Sequence, residues 1–252
     1  MLRAVNTAFT VLDETDDYIV VDKPAPLQIH PGTPDGTPTL WHGLKDLLAY
    51  EVANGGQVSI INRLDRETSG VVLVAKNLPT ARLFGIAMQE RKVHKDYLAI
   101  VHGWPEWETF DCDAPILRKG EVTESPIWVK QMVHPEGTPS RTHFQVRQRV
   151  KHGRAGKLAL VEAAPVTGRM HQIRVHLAHL GHPVLGDKIY GEDERCYLEF
   201  IDTGWTPELE KKLLFSRQAL HSNRLEIRAG EFIGQWEAPM PAPMRAWVEE
   251  TV

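Results

Sequence analysis

Cysteine is nearly absent. Cys112 and Cys196 are the only two in 252 residues, too few for a disulfide framework, and a reducing, cytoplasmic location is expected. No apolar run approaches the roughly 18 residues that a spanning helix needs, so no membrane segment is expected. The opening MLRAVNTAFTVLDETDD has neither a long apolar stretch nor a small-residue cleavage site, and predicts no signal peptide. Several catalytic signatures are missing as well. There is no GxGxxG after a strand, no GxxxxGK followed by Ser or Thr, and no GxSxG. Nucleotide cofactors and serine-hydrolase chemistry therefore have little support. The cluster His171, His176, His179 and His182 raises a metal-dependent hydrolase as one reading. However, HExxH is absent, and zinc sites add Cys or carboxylate ligands at tight spacing, so no metal is expected.

Basic residues are outnumbered: 29 Lys and Arg stand against 33 Asp and Glu, for a net charge of -4. Taken alone, that argues mildly against a nucleic-acid partner. Their distribution says otherwise. Arg141, Arg147, Arg149, Lys151, Arg154, Lys157, Arg169 and Arg174 lie in one stretch with a single acid, Glu162. Acids gather at 13–17, at 192–194 and in the C-terminal tail. Such a chain can hold phosphates locally and stay soluble; a solvated charged face is the plainer alternative.

Strand and helix patterns are mixed. YIVVDKP (18–24), VSIIN (58–62), VVLVAK (71–76) and VHKDYLAIVHG (93–103) read as strands. THFQVRQRV (142–150) and KLALVEAAP (157–165) alternate and are joined by HGRAG, as in a hairpin. ALHSNRLEI and EFIGQWEAP form a late strand pair. Helices are expected from Thr39, where Leu40, Trp41, Leu44, Leu47 and Leu48 recur at helical spacing, from Pro79 to Arg91, and over 170–181, where glycine ends the run. PAPLQIHPGTPDGTP (24–38), with five prolines, is an ordered loop or arm, and Trp104–Pro139 resists assignment. Strands cluster without strict strand–helix alternation, which favours α+β with a mixed, mostly antiparallel central sheet and flanking helices. No linker splits the chain, so 1–252 is read as one domain, with 1–17 as an N-terminal extension.

Chemistry concentrates in NRLDRETSG (62–70), where Asp65 stands between Arg63 and Arg66. A buried carboxylate is costly unless paired, and an arginine partner keeps it ionised. An ionised aspartate so held suits a nucleophile or base; a salt bridge at the rim of a sheet is the structural alternative. In VTGRMHQIRVHLAHLGHPVLGDKIYG (166–191), Arg169, His171 and Gln172 would gather at a helix N-terminus, where backbone N–H groups favour a phosphate. Arg174 follows one turn later and is a candidate partner for Asp65. Tyr97 is either core packing or a ring on which a base stacks.

Five segments in order resemble the RluA-type pseudouridine synthases: VVDKPAPLQIHPG (20–32), INRLDRETSGVVLVAKN (61–77), RKVHKDYLAIVHG (91–103), TGRMHQIRVHLAHLGHPVLGDKIYG (167–191), and RQALHSNRLEI (217–227) with WEAPMP (236–241). The resemblance implies the pseudouridine synthase fold with a catalytic cleft. It implies isomerisation of specific uridines in structured rRNA or tRNA, the target being a stem-loop uridine, by a cytoplasmic monomer with no metal and no organic cofactor. It puts the catalytic aspartate at Asp65, the active-site tyrosine at Tyr97 and the aspartate's arginine partner at Arg174. Arg63 would help fill the space left by a flipped base, and Leu225 would line the base pocket. Arg63, Arg66, Arg169, His171 and Gln172 would contact RNA.

Two departures stand out. Asn62 replaces the histidine usual in HRLD, with an effect expected on loop packing or RNA contact rather than on chemistry. Nothing before Tyr18 resembles an S4-type RNA-binding module, so the catalytic domain itself, or partners, would recruit RNA. A catalytically impaired RNA-binding or assembly protein is the alternative, resting on Asn62 and the acidic net charge.

Overall fold

In a computed structural model, residues 9–32 and 37–249 are described. Residues 1–8 of the N-terminal extension and 33–36 of the proline-rich arm lie outside them. In chain order the elements are β1 (Thr10–Glu14), β2 (Tyr18–Lys23), α1 (Leu40–Leu47), α2 (Ala49–Ala53), β3 (Ser59–Ile60), β4 (Ser69–Ala75), α3 (Leu78–Gln89), β5 (Val93–His102), β6 (Thr109–Asp113), β7 (Ile116–Arg118), β8 (Gln131–Val133), β9 (Arg141–His152), β10 (Gly156–Pro165), α4 (Gln172–His179), α5 (Arg195–Thr203), α6 (Pro207–Leu213), β11 (Leu220–Ala229), β12 (Phe232–Glu237) and α7 (Ala242–Glu249). The architecture is α+β, with mostly antiparallel strands and flanking helices, as expected. Two compact units make up the chain: Met1–Lys95 with Ser222–Pro239, and Asp96–His221 with Met240–Val252.

The first unit is built on β4, buried at every residue as its unbroken apolar run requires. β2 pairs with it antiparallel from Tyr18↔Ala75 to Lys23↔Gly70, and β11 and then β12 follow on its other side. Val20, Val71, Leu73, Phe84, Leu225, Ile227 and Trp236 form the core. Helix α3 lays Phe84 and Ala87 onto it; its start is fixed by Asn77, whose side chain accepts from the Thr80 N–H at 3.0 Å. The N-terminal extension has a structural part that its sequence did not disclose. Residues 10–14 form the strand β1, and Asp13 accepts from the Tyr18 hydroxyl (3.0 Å) and from Trp236 Nε1 (2.6 Å), clasping β1 to the neighbouring strands. Burial, with Asp13 beside it, pushes the Tyr18 hydroxyl pKa up to about 12.

The second unit centres on the long β9–β10 hairpin, in register from Gly156↔His152 to Pro165↔Thr142. β5 pairs with β10 on one side and β6 with β9 on the other. The stretch 104–139 that resisted reading contains β6 and a small separate ladder of β7 with β8. Helices α5 and α6, unread in the sequence, close over Cys196, Leu209 and Leu213. At the end of the described chain α7 buries Met244 and Val248, and Trp247 stacks on His152 with ring centroids 4.3 Å apart.

Candidate active site

The loop that carries Asp65 is held from three directions. Ahead of Asp65, Ile61 N–H donates to Leu73 O, and the buried Asn62 side chain continues that ladder: its amide donates to Val71 O (2.9 Å) and accepts from Leu73 N–H (2.8 Å). Asn62 thus makes two backbone-like bonds that a strand would otherwise supply, and its place here is one of loop packing. Behind Asp65, Thr68 N–H donates to Asp65 O at 3.1 Å, and the chain enters β4 through Gly70, where φ is +119°. A Cβ at that position would lie 2.1 Å from Ser222 O, so only glycine fits. Beneath, Lys23 is fully buried and spends its ammonium on the carbonyls of Pro24 (2.9 Å), Leu27 (2.8 Å) and Arg66 (3.3 Å), while Leu27 N–H donates to the same Arg66 O. The outcome is a braced turn on which Asp65 is half-buried and Arg63 and Arg66 are exposed. Arg63 also faces His30; burial first, then the Arg63 charge, lowers the His30 pKa.

In the second unit, Tyr97 lies on β5 opposite Ala163 and is buried. Arg174 lies on α4 and is also buried, and its guanidinium is clamped by a carboxylate that sequence reasoning did not single out. Asp187 takes Arg174 Nε at 2.6 Å on one oxygen and Nη2 at 2.9 Å on the other, a bidentate pair. The Nη2-bound oxygen also accepts from the N–H groups of Ile189 (2.9 Å) and Tyr190 (3.0 Å). Burial pushes the Asp187 carboxyl up, but the Arg174 charge and these donors outweigh it and hold the pKa below the ordinary value. The Tyr190 ring lies 5.0 Å from the guanidinium, and the Tyr190 hydroxyl meets His171 Nδ1 at 2.8 Å. All of these partners fall inside the long signature 167–191, Asp187, Ile189 and Tyr190 in GDKIYG and His171 ahead of Arg174. A buried acid thirteen residues after a buried arginine has no local periodic signal to reveal it.

The other residues expected to contact RNA divide by exposure. Arg169 is exposed. Gln172 is buried and uses both ends of its amide within the protein: the oxygen accepts from the Thr167 hydroxyl (2.7 Å) and Arg169 N–H (3.0 Å), and the nitrogen donates to Arg141 O and Thr142 Oγ1 (both 2.9 Å). It therefore supports the start of α4. His171 caps that helix in the left-handed region, at φ +56°. Leu225 is fully buried in the core of the first unit. Several arginines of the basic stretch already have acidic partners: Arg141 with Asp111, Arg147 with Glu162, Arg149 with Glu108. Among the described residues no group of three or more His, Cys, Asp or Glu could hold a metal ion. His176 is a core histidine, bonded to Thr142 Oγ1 and Ala114 O at 2.9 Å each, its pKa lowered chiefly by burial.

By its chemistry a half-buried carboxylate on a braced loop can serve as a nucleophile or base, and a clamped guanidinium is an always-charged cation. The family model for RNA pseudouridylate synthases matches residues 17–179, a span that includes Asp65, Tyr97 and Arg174. The chain belongs to this family. As a pseudouridine synthase it is an isomerase acting on uridine in RNA, as the ordered motifs implied. Similar curated proteins are named ribosomal large subunit pseudouridine synthase D. That of Haemophilus ducreyi is 34% identical over 97% of this chain and 71% of its own length. That of Vibrio parahaemolyticus is 36% identical over 98% of this chain and 72% of its own. Among solved structures, human RNA pseudouridylate synthase domain containing 1 superposes with a TM-score of 0.70 at 25% identity, over 92% of this chain and 83% of the human one. Domain containing 4 gives 0.72 at 24% identity, over 95% and 91%, a likeness of fold. Among the described residues no helix of this synthase is long and apolar enough to cross a membrane.

Proposed function

We propose that this synthase converts uridine to pseudouridine in large-subunit ribosomal RNA, with Asp65 as the catalytic carboxylate. The names of relatives that align with nearly the whole chain carry the choice of RNA; the braced turn at 62–70 carries the choice of residue. The reaction breaks the N1–C1′ bond, turns the base and forms C5–C1′; the C5 hydrogen is released and N1 gains a proton. Electrons balance without oxidant or reductant. Asp65 acts ionised, by attack at C1′, attack at C6 or removal of the C2′ proton. Arg174, held by Asp187, is the cation that favours that ionised form, Tyr97 supplies the ring against the base, and Leu225 backs the base pocket. The target uridine sits in a stem-loop and flips out of its stack, a step that costs a few kcal/mol and less where the base is unpaired. Arg63, Arg66, Arg169 and His171 serve the RNA strand. Both units serve one catalytic domain, working as a cytoplasmic monomer. The impaired-protein reading loses its chief support, since Asn62 has a structural role in the loop.

The test is mapping of pseudouridine in total RNA from cells with the gene, without it, and with Asp65→Asn in its place. The expected result is a large-subunit site that is modified with the native gene and left as uridine in the other two. Full modification by Asp65→Asn would remove Asp65 from the chemistry, and loss of a site in tRNA alone would overturn the choice of RNA.

A further inference from the structure

Trp128 is 76% exposed, an unusual cost for so large an apolar ring. It stands at a corner of the turn 127–130, closed by Lys130 N–H donating to Ile127 O at 3.1 Å. Its neighbours point the other way: Ile127 is buried and Val129 packs against the same cluster, with Val175, Ile189 and Tyr190. The turn is therefore rigid, and the ring is presented outward by design of the backbone. One face of the indole is occupied by the Arg118 guanidinium, 3.7 Å from the ring centroid. That cation braces the ring and leaves one broad aromatic face to solvent.

The turn is also joined to the residues around Arg174. Gln131 N–H donates to the Tyr190 hydroxyl at 2.9 Å, and Lys130 Nζ donates to Ile189 O at 3.2 Å and pairs with Glu194. Tyr190 in turn lies under the Arg174 guanidinium. A platform at Trp128 is thus fixed to the frame that orients the proposed catalytic arginine.

We propose that Trp128, braced by Arg118, is a stacking platform for an unpaired base of the substrate RNA, outside the base that reacts. A flat aromatic face accepts any base, and the guanidinium behind it, itself ion-paired with Glu121 at 3.4 Å, holds the ring in place. The ligand is a single-stranded nucleotide rather than a duplex, because paired bases hide their faces. This inference rests on the reading of the chain as an enzyme acting on structured RNA.

Two measurements separate it from that reading. Fluorescence anisotropy with a labelled single-stranded U-rich oligonucleotide, and with a fully paired duplex of equal length, reads binding without turnover. Trp128→Ala is expected to weaken the single strand roughly 5- to 150-fold, the range for loss of one stacked base. It should leave the duplex unchanged, and Trp128→Phe should retain most of the affinity. The ring is exposed, so the alanine variant keeps the fold. Unchanged single-strand affinity, or equal loss for single strand and duplex, overturns the platform. Turnover of wild-type protein on an unmodified transcript of bacterial large-subunit rRNA is scored separately: its absence defeats the proposed function, while the binding comparison still decides Trp128.

Discussion

An arginine can act on a nucleotide only if its own fork is aimed. Asp187 aims the fork of Arg174. Asp187 fixes two of its nitrogens, and the backbone donors of Ile189 and Tyr190 fix Asp187. Both side chains are almost wholly buried, so removing the Asp187 charge takes from Arg174 its bidentate partner in a place shielded from water. Asp187→Asn is therefore expected to lower stability by about 3–5 kcal/mol, read by urea unfolding at pH 7. It should also cut kcat more than KM, since the arginine loses its orientation while exposed RNA contacts remain. The pH dependence has a definite sign. The folded Asp187 pKa is depressed, so its contribution is present above the unfolded carboxyl value, about 3.9. It is lost as the pH falls below that value through the folded one. Wild-type protein should lose stability across that acid range, and Asp187→Asn should show a flatter profile there. An identical acid slope in the two proteins would mean that Asp187 is not the charged partner of Arg174.

At the scale of elements, the Asp65 turn depends on Asn62, whose side chain substitutes for regular pairing at two backbone groups. Asn62→Ala leaves Leu73 N–H and Val71 O unsatisfied in a buried place, at about 1–3 kcal/mol for each group. Thermal unfolding should show that loss, and activity should fall further than stability because the turn frays at Asp65, the proposed catalytic residue. Recovery by Asn62→His, the residue usual in the RluA-type motif, would mean that an imidazole can make the same bonds. A fully active, fully stable alanine variant would show the loop to be braced elsewhere. These elements also mark how far the sequence could be read. The β9–β10 hairpin, the buried β4 and the start of α3 were legible because each rests on a local signal: alternation, an apolar run, a capping asparagine. β1 was not, since TVLDE is a polar edge whose strand character comes from Asp13 meeting Tyr18 and Trp236. The small β7–β8 ladder is only three residues per strand, too short for a pattern, whereas α5 and α6 did carry local signals, an amphipathic RCYLEFIDT and a capping Thr206 before Pro207, that the sequence reading passed over. Of the candidate site, Asp65 stood out in the sequence by its charged neighbours, whereas Asp187 and Lys23 did not. Their meaning lies in partners that only folding supplies.

For the whole molecule, the question is how a chain of net charge -4 holds a polyanion. The basic stretch counted in the sequence is less free than it looks, because Arg147 makes a bidentate pair with Glu162 across β9 and β10, and Arg141 and Arg149 have acids of their own. These pairs are largely at the surface, where an ion pair is worth about 0–1 kcal/mol. A phosphate can therefore replace the carboxylate at little cost. Glu162 is then a competitor of RNA for Arg147, and removing it should help binding rather than harm the fold. Glu162→Gln is expected to tighten binding of a large-subunit rRNA transcript severalfold at low salt. It should also steepen the dependence of log K on log salt by about one unit, the increment for one further phosphate contact. Arg147→Gln should move both quantities the other way. Binding titrations between about 50 and 200 mM salt cover the range in which such slopes are resolved. If neither variant alters the slope, this face of the hairpin does not meet RNA, and the phosphate contacts belong to Arg63, Arg66 and Arg169 instead.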